Sequence, residues 1–132
     1  MRYVCLVYVD GFKLDALNDV ESRQLRHAAA AYEAELRASG HLATSERLSC
    51  VGTATTLRVR DGRQIPTDGP AVETAEQLGG FFVLEARDLN EAIRLAARHP
   101  AARLGGIEIR PVANAPDEGP REVHKNSTDF VV

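Results

Sequence analysis

The spacing of apolar residues changes several times along the chain, and each change marks a predicted element. A nearly continuous apolar run at residues 3–9 predicts a central strand that is buried on both faces. Residues 19–39 instead have the period of an amphipathic helix, with Asn18 and Glu21 at capping-box spacing at its start and Gly40 after its end. The inner face of that helix is expected to carry Leu25, Ala29, Tyr32 and Leu36.

The middle of the chain has the period of two that is typical of strands. Residues 41–48 lead out of the helix, and residues 53–60 then alternate between apolar and polar side chains. Asp61-Gly62 favours a two-residue type I′ hairpin turn, because both positions of that turn need positive φ. Residues 63–66 would form the return strand. Pro66 has no N–H for a ladder, so it should place that strand at an edge or end it there.

The last third of the chain repeats the order of strand, helix and strand. Residues 79–86 predict a second buried strand. Asp88 and Glu91 have capping-box spacing, and Pro100 terminates the helix that they begin. Residues 105–112 predict a final strand. The resulting β-α-β-β-α-β order, with the hairpin as an addition, predicts a ferredoxin-like α+β fold.

Length and charge limit the classes of protein to consider. At 132 residues the chain is expected to form one domain over residues 1–112, followed by a polar tail at residues 113–132. The tail ends in Phe130-Val131-Val132, and these apolar side chains suggest docking on the same subunit or on a neighbouring one. The net charge of -3 argues against nucleic acid as a partner, because phosphate binding needs a basic face.

The sequence also bears on location and cofactors. No stretch approaches the ~20 apolar residues of a membrane-spanning helix. The first strand is short for a signal peptide and has no small-residue cleavage site, so we expect a soluble cytoplasmic protein without a membrane partner. Cys5 and Cys50 are expected to be buried, reduced thiols. Neither the cysteines nor the four histidines have metal-ligand spacing, so no metal or other cofactor is expected.

The densest group of reactive side chains surrounds the Asp-Gly-Pro segment. Asp68, Glu73, Thr74 and Glu76 fall within nine residues of one another. Several carboxylates in one concave site would shift each other's pKa values, which suits acid or base roles. Asp-Gly-Pro is also a favourable turn by itself, and Thr74 with Gln77 could cap a short helical turn, so a purely structural role stays open.

Two candidates lie outside this group. His99, at the end of the second helix, is the candidate partner of Asp68 in acid-base catalysis, although a charged histidine at that position is also favoured by the helix dipole. Tyr8, late in the first strand, could direct its phenol into a cleft, or it could be a core residue whose hydroxyl is hydrogen-bonded.

The last strand supplies a charged pair. Glu108 and Arg110 share one face, where they could bind a ligand or pair with each other or with Arg58 or Arg60 across the sheet. The ion-pair interpretation is favoured over anion binding. The candidate catalytic residues are therefore Asp68 and His99, and the candidate ligand-binding residues are Tyr8, Asp68, Glu73, Thr74, Glu108 and Arg110.

Four blocks of sequence, at residues 3–8, 54–62, 68–81 and 99–112, together form a specific pattern. This pattern resembles the DGPF branch of the YCII-related protein family. Two positions depart from the family signature. Ala71 follows Asp-Gly-Pro where an aromatic residue is usual, and Ala75 follows Glu-Thr where a lysine is usual. The loss of a ring and a cation would widen the pocket at this loop and make it more acidic.

The resemblance implies a domain at residues 1–112 that assembles as a homodimer of the dimeric α/β-barrel type, with a cleft near the Asp-Gly-Pro loop and the end of the first strand. Some YCII-like relatives act on small, often aromatic molecules with a His–Asp pair, but the resemblance leaves catalysis and substrate open. The first hypothesis is a small-molecule pocket near the loop with acid-base chemistry. The alternative is a non-catalytic regulatory module that binds a protein partner, because members of the branch are often encoded beside sigma factors.

Overall fold

The structure, a computed structural model, describes residues 1–113 and forms six strands and three α-helices over that range. The strands are β1 (Arg2–Asp10), β2 (Leu42–Arg47), β3 (Thr55–Arg60), β4 (Arg63–Asp68), β5 (Glu76–Glu85) and β6 (Gly105–Pro111). The helices are α1 (Gly11–Asp15), α2 (Asp19–Ala38) and α3 (Leu89–Ala96). Beyond residue 113, the expected tail and its docking lie outside the described residues.

Four of the strands form an antiparallel sheet in the order β2-β5-β1-β6. β1, predicted from its apolar run, lies inside the sheet and pairs with both β5 and β6. The two helix-containing crossovers link β1 to β2 and β5 to β6. The mixed α+β fold and the ferredoxin-like arrangement expected from the sequence are therefore confirmed.

The helices begin where short polar side chains cap them. α2 starts at the predicted capping box, in which the Asn18 side chain accepts a hydrogen bond from the Glu21 N–H at 2.8 Å and the Glu21 carboxylate accepts one from the Asn18 N–H at 3.1 Å. α1 was not predicted, and it follows directly after β1 because the Asp10 carboxylate accepts a hydrogen bond from the Phe12 N–H. A 3₁₀ helix, Pro100–Leu104, connects α3 to β6.

The hydrophobic core lies between the helices and one face of the main sheet. It combines alternate residues of β1 and β5 with the inner faces of α2 and α3. The largest side chains that are fully buried in it are those of Phe82, Leu36, Leu84 and Cys5. Cys50 is exposed, so the expectation of a buried thiol holds for Cys5 and is wrong for Cys50, which lies in the connection before β3 rather than in the core.

The hairpin of β3 and β4 forms a second, two-stranded sheet. Its turn has the predicted geometry, since Asp61 has a φ of 51° and Gly62 a φ of 73°. β4 continues past Pro66 to Asp68, two residues further than predicted. A two-stranded sheet has a free edge on each side, and a residue without an N–H is tolerated there.

The other face of the main sheet is not part of the core that the helices cover. Leu6 is paired with Phe81 on one side and with Glu108 on the other, and all three are half-buried. Val4 and Val83 form the next pair on the same face, because side chains alternate along a strand. This open sheet face, defined by these five residues, is apolar along β1 and β5 and charged along β6.

Candidate functional site

A cavity between the main sheet and α2 brings an imidazole, carboxylates and guanidinium groups together. Its volume is about 650 Å³, which lies within the ~300–1,000 Å³ typical of small-molecule sites. Gly79, Gly80 and Phe82 of β5 form part of its wall. We call it the His99 cavity. Its polar lining includes Asp15, Arg26, Glu33, Ser45, Arg47 and His99.

The imidazole of His99 is fixed by a backbone hydrogen bond and by two aromatic rings. Its Nδ1 accepts a hydrogen bond from the Ala101 N–H at 3.1 Å. The ring stacks on Phe82 with centroids 5.2 Å apart and planes 13° apart. Tyr32 meets it edge to face at 5.2 Å, and the Tyr32 hydroxyl is itself anchored to the Leu95 carbonyl at 2.6 Å. The ring therefore has one defined position in the cavity wall.

The local role of His99 differs from the one that the sequence suggested. α3 ends at Ala96, and His99 caps the start of the following 3₁₀ helix instead of the end of α3. An N-cap must accept a hydrogen bond, which a protonated imidazole cannot do at Nδ1. Burial lowers the pKa of His99, and the carboxylate of Glu33 opposes that shift in part. Both effects of the local fold, the cap and the burial, favour a neutral ring.

Glu33 places a carboxylate in the same cavity. It lies on α2 next to Tyr32 and is half-buried. Its Oε1 accepts a hydrogen bond from the Ser45 hydroxyl on β2 at 2.6 Å. This bond crosses from helix to sheet and holds the carboxylate at the cavity wall.

The sequence contains a pattern of polar residues on α2 that marks Glu33, in addition to the apolar pattern that predicted the helix. Ser22, Arg26 and Glu33 are polar residues of α2 that follow one another at offsets of four and seven, and all three line the cavity. They form a polar row directly beside the buried stripe that contains Tyr32 and Leu36. A polar row at the edge of an apolar stripe is therefore the pattern that would have predicted Glu33.

A second cavity, of about 800 Å³, lies beside the Asp-Gly-Pro loop. We call it the loop cavity. Tyr8 and Thr74, both predicted ligand-binding residues, line it together with Cys50, Glu76 and Leu78. This space lies near the Asp-Gly-Pro loop and the end of β1, where the sequence predicted a cleft. Among the residues that line it there is no histidine, lysine or arginine, so it offers fewer groups for proton transfer than the His99 cavity.

The loop itself is held by its own hydrogen bonds. The Gln77 side-chain amide donates to the carbonyls of Val72 and Thr74, each at 2.9 Å, and the Thr74 hydroxyl donates to the Glu76 carbonyl. These residues form bends and the start of β5, so the proposed helical turn capped by Thr74 is wrong. The side chains of Thr74 and Gln77 thus supply hydrogen-bond donors to the backbone carbonyl groups of this loop.

Asp68 and Glu73 are both exposed, and neither lines either cavity. Asp68 ends β4, and Gly69 follows it with a φ of 108°. The Gly69 carbonyl accepts a hydrogen bond from the Thr56 hydroxyl at 2.8 Å, which ties the turn to the hairpin. The structure therefore does not bring Asp68 and His99 into one cavity.

The charged pair on β6 forms an ion pair on the open sheet face. The guanidinium of Arg110 donates to the carboxylate of Glu108 at 2.6 Å. Arg58 and Arg60 lie in the separate hairpin sheet, so they are not cross-strand neighbours of this pair. Of the three pairings considered for Glu108, the structure contains the one with Arg110.

Comparison with known proteins agrees with this architecture. The sequence profile of the YCII-related domain matches residues 1–115. The chain belongs to the YCII-related family. It is also 33% identical over 115 residues to an uncharacterized protein of Rhizobium meliloti (strain 1021), and the match covers 86% of this chain and 93% of that protein.

A solved structure resembles the fold of this YCII-related domain. It is that of 5-chloro-2-hydroxyhydroquinone dehydrochlorinase (TftG) from Burkholderia phenoliruptrix AC1100, in complex with 2,5-dihydroxybenzoquinone. The two chains align with a TM-score of 0.51 over 87% of this chain and 96% of that one, at 14% sequence identity. At this identity the likeness concerns the fold alone.

Two further observations concern other kinds of site. None of the helices in residues 1–113 combines the length and the apolar character needed to cross a bilayer. Over the same residues, no three histidine, cysteine, aspartate or glutamate side chains lie together as potential metal ligands.

Proposed function

We propose that this YCII-related domain binds a small molecule in the His99 cavity and converts it by proton transfer. The observation that carries the proposal is the presence of an imidazole and a carboxylate, those of His99 and Glu33, in the wall of one cavity of ligand size. Paired titratable groups in a largely apolar cleft are the usual composition of an acid-base site. The dehydrochlorinase with the same fold, which holds a small quinone, makes such a ligand a reasonable first probe.

The loop cavity is the other location for a ligand, and it is the one that the sequence favoured. Tyr8 and Thr74, which line it, would then contact the ligand. The His99 cavity is preferred because its lining contains both a hydrogen-bond donor and a carboxylate held at its walls. The two locations make different predictions about which substitutions abolish binding.

Ligand-dependent melting will separate the two cavities. A small-molecule library that includes 2,5-dihydroxybenzoquinone is screened by thermal shift against the wild type. A ligand at 100 times its Kd is expected to add about 2.7 kcal/mol to the free energy of unfolding. Ala29→Phe, which puts a ring into the His99 cavity, should remove the shift. Ala28→Phe is the matched control, because Ala28 is exposed on the same helix and lines neither cavity.

The loop variants complete this experiment. Tyr8→Phe and Thr74→Val, at residues that line the loop cavity, should keep the full shift if the ligand occupies the His99 cavity. Loss of the shift in these two variants, with Ala29→Phe unaffected, would move the site to the loop cavity and overturn the proposal. A library that shifts no melt at all would count against a small-molecule function.

The open sheet face supports the second part of the proposal, a homodimer of the dimeric α/β-barrel type. Leu6, Phe81 and Val83 are apolar residues on a sheet face that carries none of the helix-covered core. Two such faces packed against each other would remove this apolar surface from water, at about 25 cal/mol per Å². Face-to-face packing of two sheets is a common way to form a core.

The exposed surface of the β3–β4 hairpin supports the alternative function, a regulatory module that binds a protein partner. Leu57 and Val59 are 59% and 54% exposed on one face of β3. Exposed apolar residues that lie together mark interaction surfaces. A regulatory protein partner, such as a sigma factor, would bind there rather than on the open sheet face.

Sedimentation of two charge variants tests both surfaces. The wild type is expected to have twice the mass of one chain. Leu6→Asp, on the open sheet face, should give the monomer mass, and Leu57→Asp, on the hairpin, should stay dimeric. A dimer that survives Leu6→Asp but dissociates in Leu57→Asp would place the interface on the hairpin and remove the reason for a separate partner there.

A further inference from the structure

The hydrogen-bonding state of His99 is determined by the backbone. Since Nδ1 accepts from the Ala101 N–H at 3.1 Å, its lone pair is occupied and the hydrogen of the neutral ring must be on Nε2. Within residues 1–113, Nε2 has no hydrogen-bond partner of its own. The ring therefore offers an N–H donor to a ligand and has no free lone pair with which to accept a proton.

The carboxylate of Glu33 has the complementary property. It accepts hydrogen bonds or protons, and its position is fixed by the hydroxyl of Ser45 at 2.6 Å. That bond engages Oε1, and no other side chain within residues 1–113 donates to Oε2. Both side chains line the same cavity, and the carboxylate of Glu33 opposes in part the lowering of the His99 pKa by burial.

A hydrogen-bond donor and a carboxylate in the wall of one cavity suit a particular reaction. We propose that the His99 cavity catalyses proton transfer at a carbon next to a carbonyl group, with Glu33 as the base and His99 as the hydrogen-bond donor to the carbonyl oxygen. This inference rests on the function proposed above and specifies its substrate class. The substrates are small, largely apolar ketones with a hydrogen on the carbon beside the carbonyl.

The reaction balances without a co-reactant. Glu33 removes the hydrogen of the adjacent carbon as a proton, and the electron pair of the broken C–H bond forms a C=C bond. The electrons of the carbonyl π bond move to the oxygen, which becomes an enolate held by the Nε2–H of His99. The protonated Glu33 then returns its proton to the oxygen, which gives the enol, or to carbon, which regenerates a ketone. A neutral imidazole can act in this way because it donates a hydrogen bond without transferring its proton.

Hydrogen exchange into small ketones tests this role. The probes are 2-indanone, 1-indanone and phenylacetone in D₂O, with deuterium at the adjacent carbon measured by NMR and binding measured by thermal shift. The wild type should accelerate exchange in a probe that binds. Glu33→Gln should lose that acceleration by ~10²-fold or more, and His99→Asn by ~10²-fold. Asn keeps the cap on the Ala101 N–H but has no donor at the Nε2 position.

Three controls make the result decisive. His99→Gln can place an amide N–H near the Nε2 position and should recover part of the exchange lost in His99→Asn. His27→Asn and Glu85→Gln make the same chemical changes at surface positions outside the cavity and should exchange like the wild type. ¹⁵N NMR of the imidazole should show the Nε2–H tautomer.

Each contrary outcome has a separate meaning. A probe that binds but exchanges no faster than in buffer, or equally fast in Glu33→Gln, would overturn the enolisation while leaving the small-molecule site in place. An Nδ1–H tautomer would overturn the donor role of His99. Failure of all three probes to bind would overturn this substrate class, and the wider library would then decide the proposed function itself.

Discussion

Replacement of Phe82 by alanine is expected to lower the free energy of unfolding by about 3–5 kcal/mol, the usual cost of removing a buried aromatic ring. Phe82 is 2% exposed and belongs to the central core cluster. Its ring packs edge to face on Tyr32 at 6.1 Å and stacks on His99 at 5.2 Å. Because a domain of this size has about 5–15 kcal/mol in total, the loss would be a large part of its stability. Urea denaturation monitored by circular dichroism measures it.

The same substitution at an exposed position is the control. Phe12 is 83% exposed at the start of α1, so Phe12→Ala should change the free energy of unfolding by less than about 0.5 kcal/mol. Phe82→Ala should also weaken ligand binding in the His99 cavity, because the imidazole loses the ring on which it stacks. Equal losses of stability in the two variants would show that Phe82 is not the packing centre that we describe.

Replacement of Gly105 by alanine is the second large effect expected, at about 3 kcal/mol or more, the upper end of the cost of overpacking. The backbone conformation is not the cause, since a φ of 176° is extended and open to any residue. A Cβ at this position would lie 2.0 Å from the Tyr8 carbonyl oxygen and 3.0 Å from the Val9 Cα. Both are backbone atoms of the paired strand, so the β1–β6 ladder would have to shift.

The neighbouring glycine provides a matched comparison for this prediction. A Cβ on Gly106 would meet no atom within 4 Å, although Gly106 occupies the next position of the same ladder. Gly106→Ala should therefore stay within about 0.5 kcal/mol of the wild type in the same denaturation experiment. Similar losses in both variants would point to a general intolerance of side chains at the start of β6 and would contradict the close backbone approach at Gly105.

The elements of this fold could be predicted because their signals are local. The capping box of Asn18 and Glu21 marks the start of α2, and the dipeptide Asp61-Gly62 marks the hairpin turn. Both depend on hydrogen bonds or dihedral angles of a few adjacent residues, which tertiary packing did not change. The unpredicted helix α1 depends on a single cap by Asp10, a signal that is weak in five residues.

Only part of the candidate site could be predicted, because its residues lie far apart in the chain and on different elements. His99, a candidate from the sequence, lines the cavity, but its supposed partner Asp68 lies at the end of β4 in the separate hairpin sheet. The period of two predicts which side chains of a strand share a face. It does not predict which sheet the strand will join. The group that does share the cavity with His99 is Glu33, which is 66 positions earlier in the chain and on another element.

The place of β1 inside the main sheet has a consequence for the order in which the molecule can fold. This strand is synthesised before both of its hydrogen-bonded neighbours, which are residues 76–85 and 105–111. Its backbone N–H and C=O groups on the β6 side have no sheet partner until nearly the whole domain has emerged. Such distant pairings slow folding, because the entropy of closing a long loop is lost before the stabilising contacts can form. During synthesis, the apolar segment at residues 3–9 is therefore open to pairing with another strand until both of its partners have emerged.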